Sequence, residues 1–294
     1  MTMAGLALSP QLFAIFTALV EDACGMHYGP HERELFASKL TAHAVDLGYD
    51  SLLDYYYRLR YDDPDGAQRA QLIEALLVHE TFFFRELAPL RYLVDGTAPP
   101  SGGADSRGRA PAVDGPLAKR VAAHGRARVW SAACSTGEEP LTMAMLLDAR
   151  GLLDRVEIVA TDISAQAIAQ AVAGHHRKRA LRDDHPAELA ARYLSSGPGG
   201  VVVEPRLRGA VTFKTLNLFD AGAVRMLGQF DVILCRNVLI YFRDDHITRV
   251  VDHLAEALAP DGLLAVGVSE SLMRFGTSLV CEERDNAFFY RRAR

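Results

Sequence analysis

Apolar positions from residue 10 to about 94 recur at helical spacing, and no strand-like alternation interrupts them. Leu12, Phe16, Leu19 and Val20 share one face of a first helix, with Ser9 placed to cap it and Pro10 at its first position. A second helix opens near Pro30, carries Leu35, Phe36 and Leu40, and stops near Gly48. Ser51 opens a third, with Leu52, Leu53, Tyr56 and Leu59. The turn Asp62-Asp63-Pro64-Asp65-Gly66 precedes a fourth, with Leu72, Ile73, Leu76 and Leu77. Residues 95–115 hold eight Gly or Pro and little to bury, the composition of a flexible linker. A short helix near Leu117 follows, and then the period changes. Strands are expected at 128–130, Val156–Thr161, Val211–Phe213, Phe230–Cys235, Gly262–Val268 and Ala287–Arg291. Helices fall between them at Leu141–Leu147, Ala165–Ala173 and about Asp245–Leu258. This alternation predicts a doubly wound, mostly parallel α/β sheet. The stretch 175–210 is too long for an ordinary connection and reads as a small subdomain of its own. The expected division is an all-helical domain over 1–94, a linker over 95–120 and an α/β domain over 121–294.

Composition narrows the function. The chain of 294 residues is 49% hydrophobic and 23% charged, which is ordinary for a water-soluble globular protein. Its net charge of -5 argues against a nucleic-acid binder. Residues 1–94 carry seven Lys or Arg against thirteen Asp or Glu. Cys24, Cys134, Cys235 and Cys281 lie far apart, without metal-ligand spacing, and read as reduced thiols of a cytoplasmic protein. The apolar run Leu12–Val20 lacks a basic flank and meets Glu21-Asp22 at once, so it is read as a helix face rather than as a signal peptide. No apolar run is long enough to span a bilayer, and no membrane insertion is expected.

Candidate chemistry collects at strand ends, where open α/β sheets bind ligands. The first such loop is WSAACSTGEEP, Trp130 to Pro140. Ala132, Ala133, Ser135, Thr136 and Gly137 are small enough for close approach of a ligand. Glu138 and Glu139 stand where a pyrophosphate would need positive potential, so a cationic ligand such as S-adenosylmethionine fits better. A nicotinamide site would need a GxGxxG loop, and 130–140 has one glycine. The next strand ends on Asp162, either a ribose partner or a helix cap. Asn217-Leu218 and Cys235-Arg236-Asn237 follow later strands. Asn217 is also readable as a turn residue and Asn237 as a cap. Glu139 is expected to favour the positive end of the following helix and touch no ligand. ETFFFRE, Glu80 to Glu86, closes the helical segment; two of its three phenylalanines are expected in a core, and Arg85 is alternatively a surface ion pair with Glu80 or Glu86.

ETFFFRE, WSAACSTGEEP, ATDIS, Asn217-Leu218 and FDVILCRNVLIYF, in this order, resemble the chemotaxis-receptor methyltransferases of the CheR type. The resemblance spans nearly the whole chain. It implies a Rossmann-like class I methyltransferase domain with a small inserted β-subdomain, preceded by an all-α N-terminal domain. It further implies methyl transfer from S-adenosylmethionine to glutamate carboxylates of a chemoreceptor or related signalling protein, giving methyl esters and S-adenosylhomocysteine. By position, Glu138 would contact the cofactor's amino group and Asp162 its ribose. Asn217 and Leu218 would border the adenosine, and Asn237 and Val238 the methionine end. Thr81 would touch the cofactor, with Ala132 and His79 in the same site. Arg85 and Tyr241 would face the transferring methyl and the incoming carboxylate. The resemblance also allows a tethering peptide on the subdomain and a monomeric enzyme. His79 replaces an Asn common in the family, and His176 a Tyr. The alternatives are a non-catalytic module that binds S-adenosylmethionine, or a methyltransferase acting on a different substrate.

Overall fold

The computed structural model describes residues 6–96, 114–197, 199–285 and 287–293. The expected linker lies for the most part outside the described residues. The chain divides into two compact units, Met1–Val78 with Ile240–Ile247, and His79–Leu239 with Thr248–Arg294. The boundary therefore falls at Val78, ahead of the expected one at 94. The reason is packing: Phe83, Phe84, Leu90, Leu93 and Val94 are buried in the same cluster as Leu141, Ala144 and Val129 of the sheet unit.

The first unit holds four helices in sequence: α1 (Pro10–Cys24), α2 (Arg33–Asp46), α3 (Leu52–Tyr61) and α4 (Ala67–Leu76). Ser9 caps α1 by accepting the Leu12 N–H at 3.1 Å, and Gly25 ends it at φ 78°. Phe16, Leu19, Val20 and Cys24 form its buried face. On α2 the buried positions are Phe36, Leu40 and Ala44, and Leu35 faces out. On α3 they are Leu52, Tyr55 and Leu59, so Leu53 and Tyr56 lie off the core stripe expected for them. Both corrected sets keep the spacing of three to four that a single helix face requires.

The second unit runs α5 (Leu87–Asp95), α6 (Pro116–His124), β1 (Ala127–Ala132), α7 (Glu138–Ala149), β2 (Val156–Asp162) and α8 (Ala165–Ala173). It continues with β3 (His175–Arg177), α9 (Ala187–Tyr193), β4 (Leu194–Gly197), β5 (Gly200–Val203) and α10 (Pro205–Gly209). Then come β6 (Val211–Thr215), α11 (Ala221–Met226), β7 (Phe230–Cys235), α12 (Asp244–Ala257), β8 (Leu258–Val266), β9 (Leu279–Arg284) and β10 (Ala287–Arg292). Seven strands form one sheet in the order β6-β2-β1-β7-β8-β10-β9. The first five run parallel, while β10 is antiparallel to both β8 and β9. The expected final strand therefore sits inside the sheet, shielded by β9 at the edge. A separate antiparallel sheet, β3-β5-β4, occupies the stretch read as a subdomain.

Register fixes where the functional loops emerge. Ala132 pairs with Thr161 on one side and with Cys235 on the other. Asp162 pairs with Thr215, and Cys235 with Val266. The carboxyl ends of five parallel strands thus lie in one row. Beneath that row Trp130 is fully buried, packs on Phe230 and donates Nε1–H to Thr161 Oγ1 at 2.9 Å.

Candidate active site

The loop after β1 is backbone under constraint. Ala133 and Ser135 have φ of 59° and 49°, and Gly137 has 93°. Non-glycine residues rarely hold that region, and where they do the surroundings enforce it. Here Cys134 N–H bonds to Thr161 O at 2.9 Å, and Ser135 N–H to Asp162 Oδ2 at 2.7 Å. Gly137 is packed closely against α8: a Cβ there would lie 2.7 Å from Ala171 Cβ.

Asp162 is not the cap of α8. Ser164 is, accepting the Ala167 N–H at 2.8 Å. The Asp162 carboxylate instead accepts the N–H groups of Ser135 and Ser164, so it clamps two strand-end loops together.

Glu138 opens α7 and is 2% exposed. Its carboxylate accepts from Thr136 Oγ1 at 2.7 and 3.0 Å, and His176 Nδ1 lies 2.8 Å from Oε1. Glu139 does more than favour a helix end. It accepts from Ser131 Oγ at 2.7 Å and pairs with Arg236 Nη1 at 2.8 Å.

Asn217 is a turn residue, its Oδ1 accepting the Phe219 N–H at 3.0 Å. Leu218 is buried, and its carbonyl faces His253 Nδ1 at 2.9 Å. Both residues sit just past β6, beside Asp162, whose carbonyl accepts the Leu216 N–H.

The end of β7 carries a charged cluster that motif reading missed. Arg236 is buried, and its Nη2 donates to Arg85 O at 2.9 Å, Glu86 O at 3.1 Å and Glu86 Oε2 at 3.0 Å. Asn237, at φ 61°, donates Nδ2–H to Glu86 Oε1 at 3.2 Å and is not a helix cap. The Glu270 carboxylate accepts the N–H groups of Asn237, Leu239 and Gly267 at 2.6, 2.7 and 2.8 Å. Burial pushes the Glu86 carboxyl up, but the Arg236 guanidinium and hydrogen bonds from Asn237, Arg236 and Val268 N–H hold it below the usual carboxylate range. Its members Glu86, Glu139 and Arg236 all stand in candidate motifs, but nothing in the sequence pairs them.

ETFFFRE is a turn with two left-handed residues, Phe84 (φ 65°) and Glu86 (φ 46°). Phe83 and Phe84 are the core pair, as expected, and Phe82 lies between cations, 3.6 Å from Arg182 Cζ and 5.5 Å from Arg85 Cζ. Arg85 donates to the Glu80 carbonyl at 2.9 Å, and among the described residues no ion pair joins it to Glu80 or Glu86. His79, Thr81 and Val238 are half-buried in the same unit. Ala132 ends β1, fully buried. Tyr241 belongs to the first unit, where its carbonyl accepts the His27 N–H at 2.9 Å.

The site tests well against a cationic nucleoside cofactor. Ser135 Oγ is buried with no hydrogen-bond partner among the described residues, an orphan that normally costs ~1–3 kcal/mol unless a ligand satisfies it. Glu138 and Asp162 supply negative charge, and left-handed backbone turns the loop toward the strand ends. This sheet order with this acidic loop defines an S-adenosylmethionine-dependent methyltransferase. The family profile described as "CheR methyltransferase, SAM binding domain" matches residues 110–287. The chain is 32% identical over 269 residues to "Chemotaxis protein methyltransferase 1" of Pseudomonas aeruginosa, covering 88% of this chain and 90% of that protein. It is 32% identical to "Chemotaxis protein methyltransferase" of Vibrio parahaemolyticus over 280 residues, 92% of each. The protein of that name from Salmonella typhimurium is 32% identical over 272 residues, 90% of this chain and 85% of its own. The chain belongs to the CheR methyltransferase family. Among the described residues no helix is long and apolar enough to cross a membrane.

Proposed function

We propose that this methyltransferase esterifies glutamate side chains of a chemoreceptor or related signalling protein. The observation that carries the reading is the Arg236 staple. It ties the ETFFFRE turn, at the Arg85 carbonyl and the Glu86 carboxylate, to the end of β7 beside Asn237, which supports a role for this turn at the strand-end loops. Bound S-adenosylmethionine supplies a sulfonium methyl, which leaves its electron pair on sulfur as the new oxygen–carbon bond forms.

Glu138 receives the cofactor ammonium and Asp162 the ribose hydroxyls. Asn217 and Leu218 border the adenosine. Ala132, Thr81, His79, Asn237 and Val238 complete the cofactor contacts. A free glutamate titrates at about 4.3, so near neutral pH the substrate is already the ionised nucleophile and no general base is needed. Arg85 orients that carboxylate through its guanidinium fork, and catalysis is chiefly positioning. Tyr241 is the second residue assigned to the incoming carboxylate.

The test is transfer of labelled methyl to cytoplasmic receptor domains, followed by mild base. Release of the label as volatile methanol is expected. Base-stable label on the receptor would overturn the ester, and tight cofactor binding without transfer to any receptor domain would favour a non-catalytic module.

A further inference from the structure

We infer that His176, on the inserted sheet, is a positioning residue for the cofactor's amino group, acting through the Glu138 carboxylate proposed above as its partner. Both side chains are buried, Glu138 at 2% and His176 at 3% exposure. His176 Nδ1 lies 2.8 Å from Glu138 Oε1. A carboxylate only accepts, so Nδ1 carries the proton. His176 Nε2 is buried and has no hydrogen-bond partner among the described residues. A bare lone pair there is tolerable, whereas a second N–H would be buried with no acceptor. The ring is therefore the neutral Nδ1–H tautomer.

Neutrality matters to the function. A neutral donor fixes the carboxylate without cancelling its charge, so Glu138 keeps its attraction for an ammonium. An Arg or Lys in the same place would consume it. Thr136 Oγ1 lies within hydrogen-bond distance of both oxygens, so the carboxylate is held at two points before any ligand arrives. Such preorganisation reduces the ordering cost of binding.

The fold holds His176 as firmly as His176 holds Glu138. Its ring meets the edge of Phe83 at 4.8 Å and 72°. Phe83 is itself tied to the inserted segment through its N–H to Ala180 O at 2.8 Å. On β3, His176 pairs with Val201 of β5, and the strands approach so closely that a Cβ on Gly200 would lie 1.9 Å from His176 O. The inserted sheet thus delivers one hydrogen bond to the cofactor loop.

The test uses the full-length protein, with S-adenosylhomocysteine affinity by calorimetry alongside kcat and the KM for S-adenosylmethionine. His176→Leu removes the donor and is expected to weaken affinity and raise KM about tenfold with kcat little changed. His176→Asn replaces the donor near the Nδ1 position and is expected to recover most of the loss. A cofactor analogue lacking the amino group should bind the wild type and His176→Leu alike. Ring ¹⁵N shifts of the wild type should report the neutral Nδ1–H tautomer. If His176→Leu binds normally while Glu138→Gln binds weakly, the inference is overturned and the role of Glu138 stands. If neither substitution weakens binding, the Glu138 assignment falls and the inference with it. Equal loss in His176→Leu and His176→Asn, or equal loss for both ligands, would mark a merely structural residue and also overturn it.

Discussion

Arg85 and the cysteines show how differently single side chains are used. Arg85 donates to the Glu80 carbonyl and rests against Phe82, and its proposed role is to orient the substrate carboxylate. Arg85→Ala is expected to lower kcat by about a hundredfold while cofactor affinity, by calorimetry, changes less than about twofold. Arg85→Lys should recover only part, because the planar fork is lost. The thiols are the opposite case. Burial, with the nearby charges of Asp162 and Glu139, pushes Cys134 well above its usual value. Burial does the same to Cys235, beside Glu270 and Glu139. Cys24 is raised to about 11, chiefly by burial. Reactivity follows the thiolate. Timed alkylation of the native protein near neutral pH is therefore expected to label the partly exposed Cys281 first and to spare the other three until unfolding. Such inertness suits Cys134, which sits in the cofactor loop but offers its backbone rather than its sulfur.

At the scale of elements, the sheet unit depends on pairs that are distant in sequence. Arg236 is surrounded by Glu86, Glu139 and the carbonyls of Arg85 and Glu86. Removing one member of a buried charged set leaves the others uncompensated, so Arg236→Met should cost about 3–5 kcal/mol in denaturant melts. Gly267→Ala should also destabilise, since its Cβ would come within 2.6 Å of Asn237 Nδ2 and 2.7 Å of Glu270 Oε2. Glu86 adds a pH dependence whose sign is fixed. Its folded carboxyl is held below the unfolded value of about 4.3. The stability it adds is present above that value and is lost as pH falls through the lower folded one. The advantage of wild type over Glu86→Gln in melting temperature is therefore expected near neutral pH and to vanish in acid. None of this network was legible from the chain, because charges so far apart in sequence carry no periodicity. The strands at 156–162 and 230–235 were legible, because the short apolar runs Ile158–Ala160 and Val232–Cys235, closed by Asp162 and Arg236, have few other readings. The short β3 and β4 and the edge strand β9 were not: three or four residues, or the half-polar LVCEER, give no usable alternation.

At the scale of the molecule, the order of elements was readable and their allegiance was not. The alternation after residue 128 gave the parallel sheet, and the Gly/Pro-poor helices before residue 78 gave the helical unit. What the pattern did not carry was the transfer of ETFFFRE and α5 to the sheet unit, since Phe83, Leu90 and Leu93 would have filled any core. Nor did it show that Ile240–Ile247 joins the helical unit, where Phe242 bridges Met26 and Arg243 pairs with Glu21 at 3.1 Å. Residues 1–78 alone lack those partners. That fragment is expected to melt at lower temperature and less cooperatively, by circular dichroism, than the same residues do in the whole chain. The loops expected at strand ends are the ones that five parallel strands in register bring into one row. The side-chain partners within those loops are set by tertiary packing and leave no pattern in the sequence. The central claim is methyl esterification of receptor glutamate. It is tested most directly by peptide mapping of a receptor cytoplasmic domain after incubation with S-adenosylmethionine and either wild type or Arg85→Ala. The account predicts one methyl group on defined glutamates, removed by mild base and nearly absent with the variant. Methylation at any other side chain, or equal esterification by the variant, would contradict it.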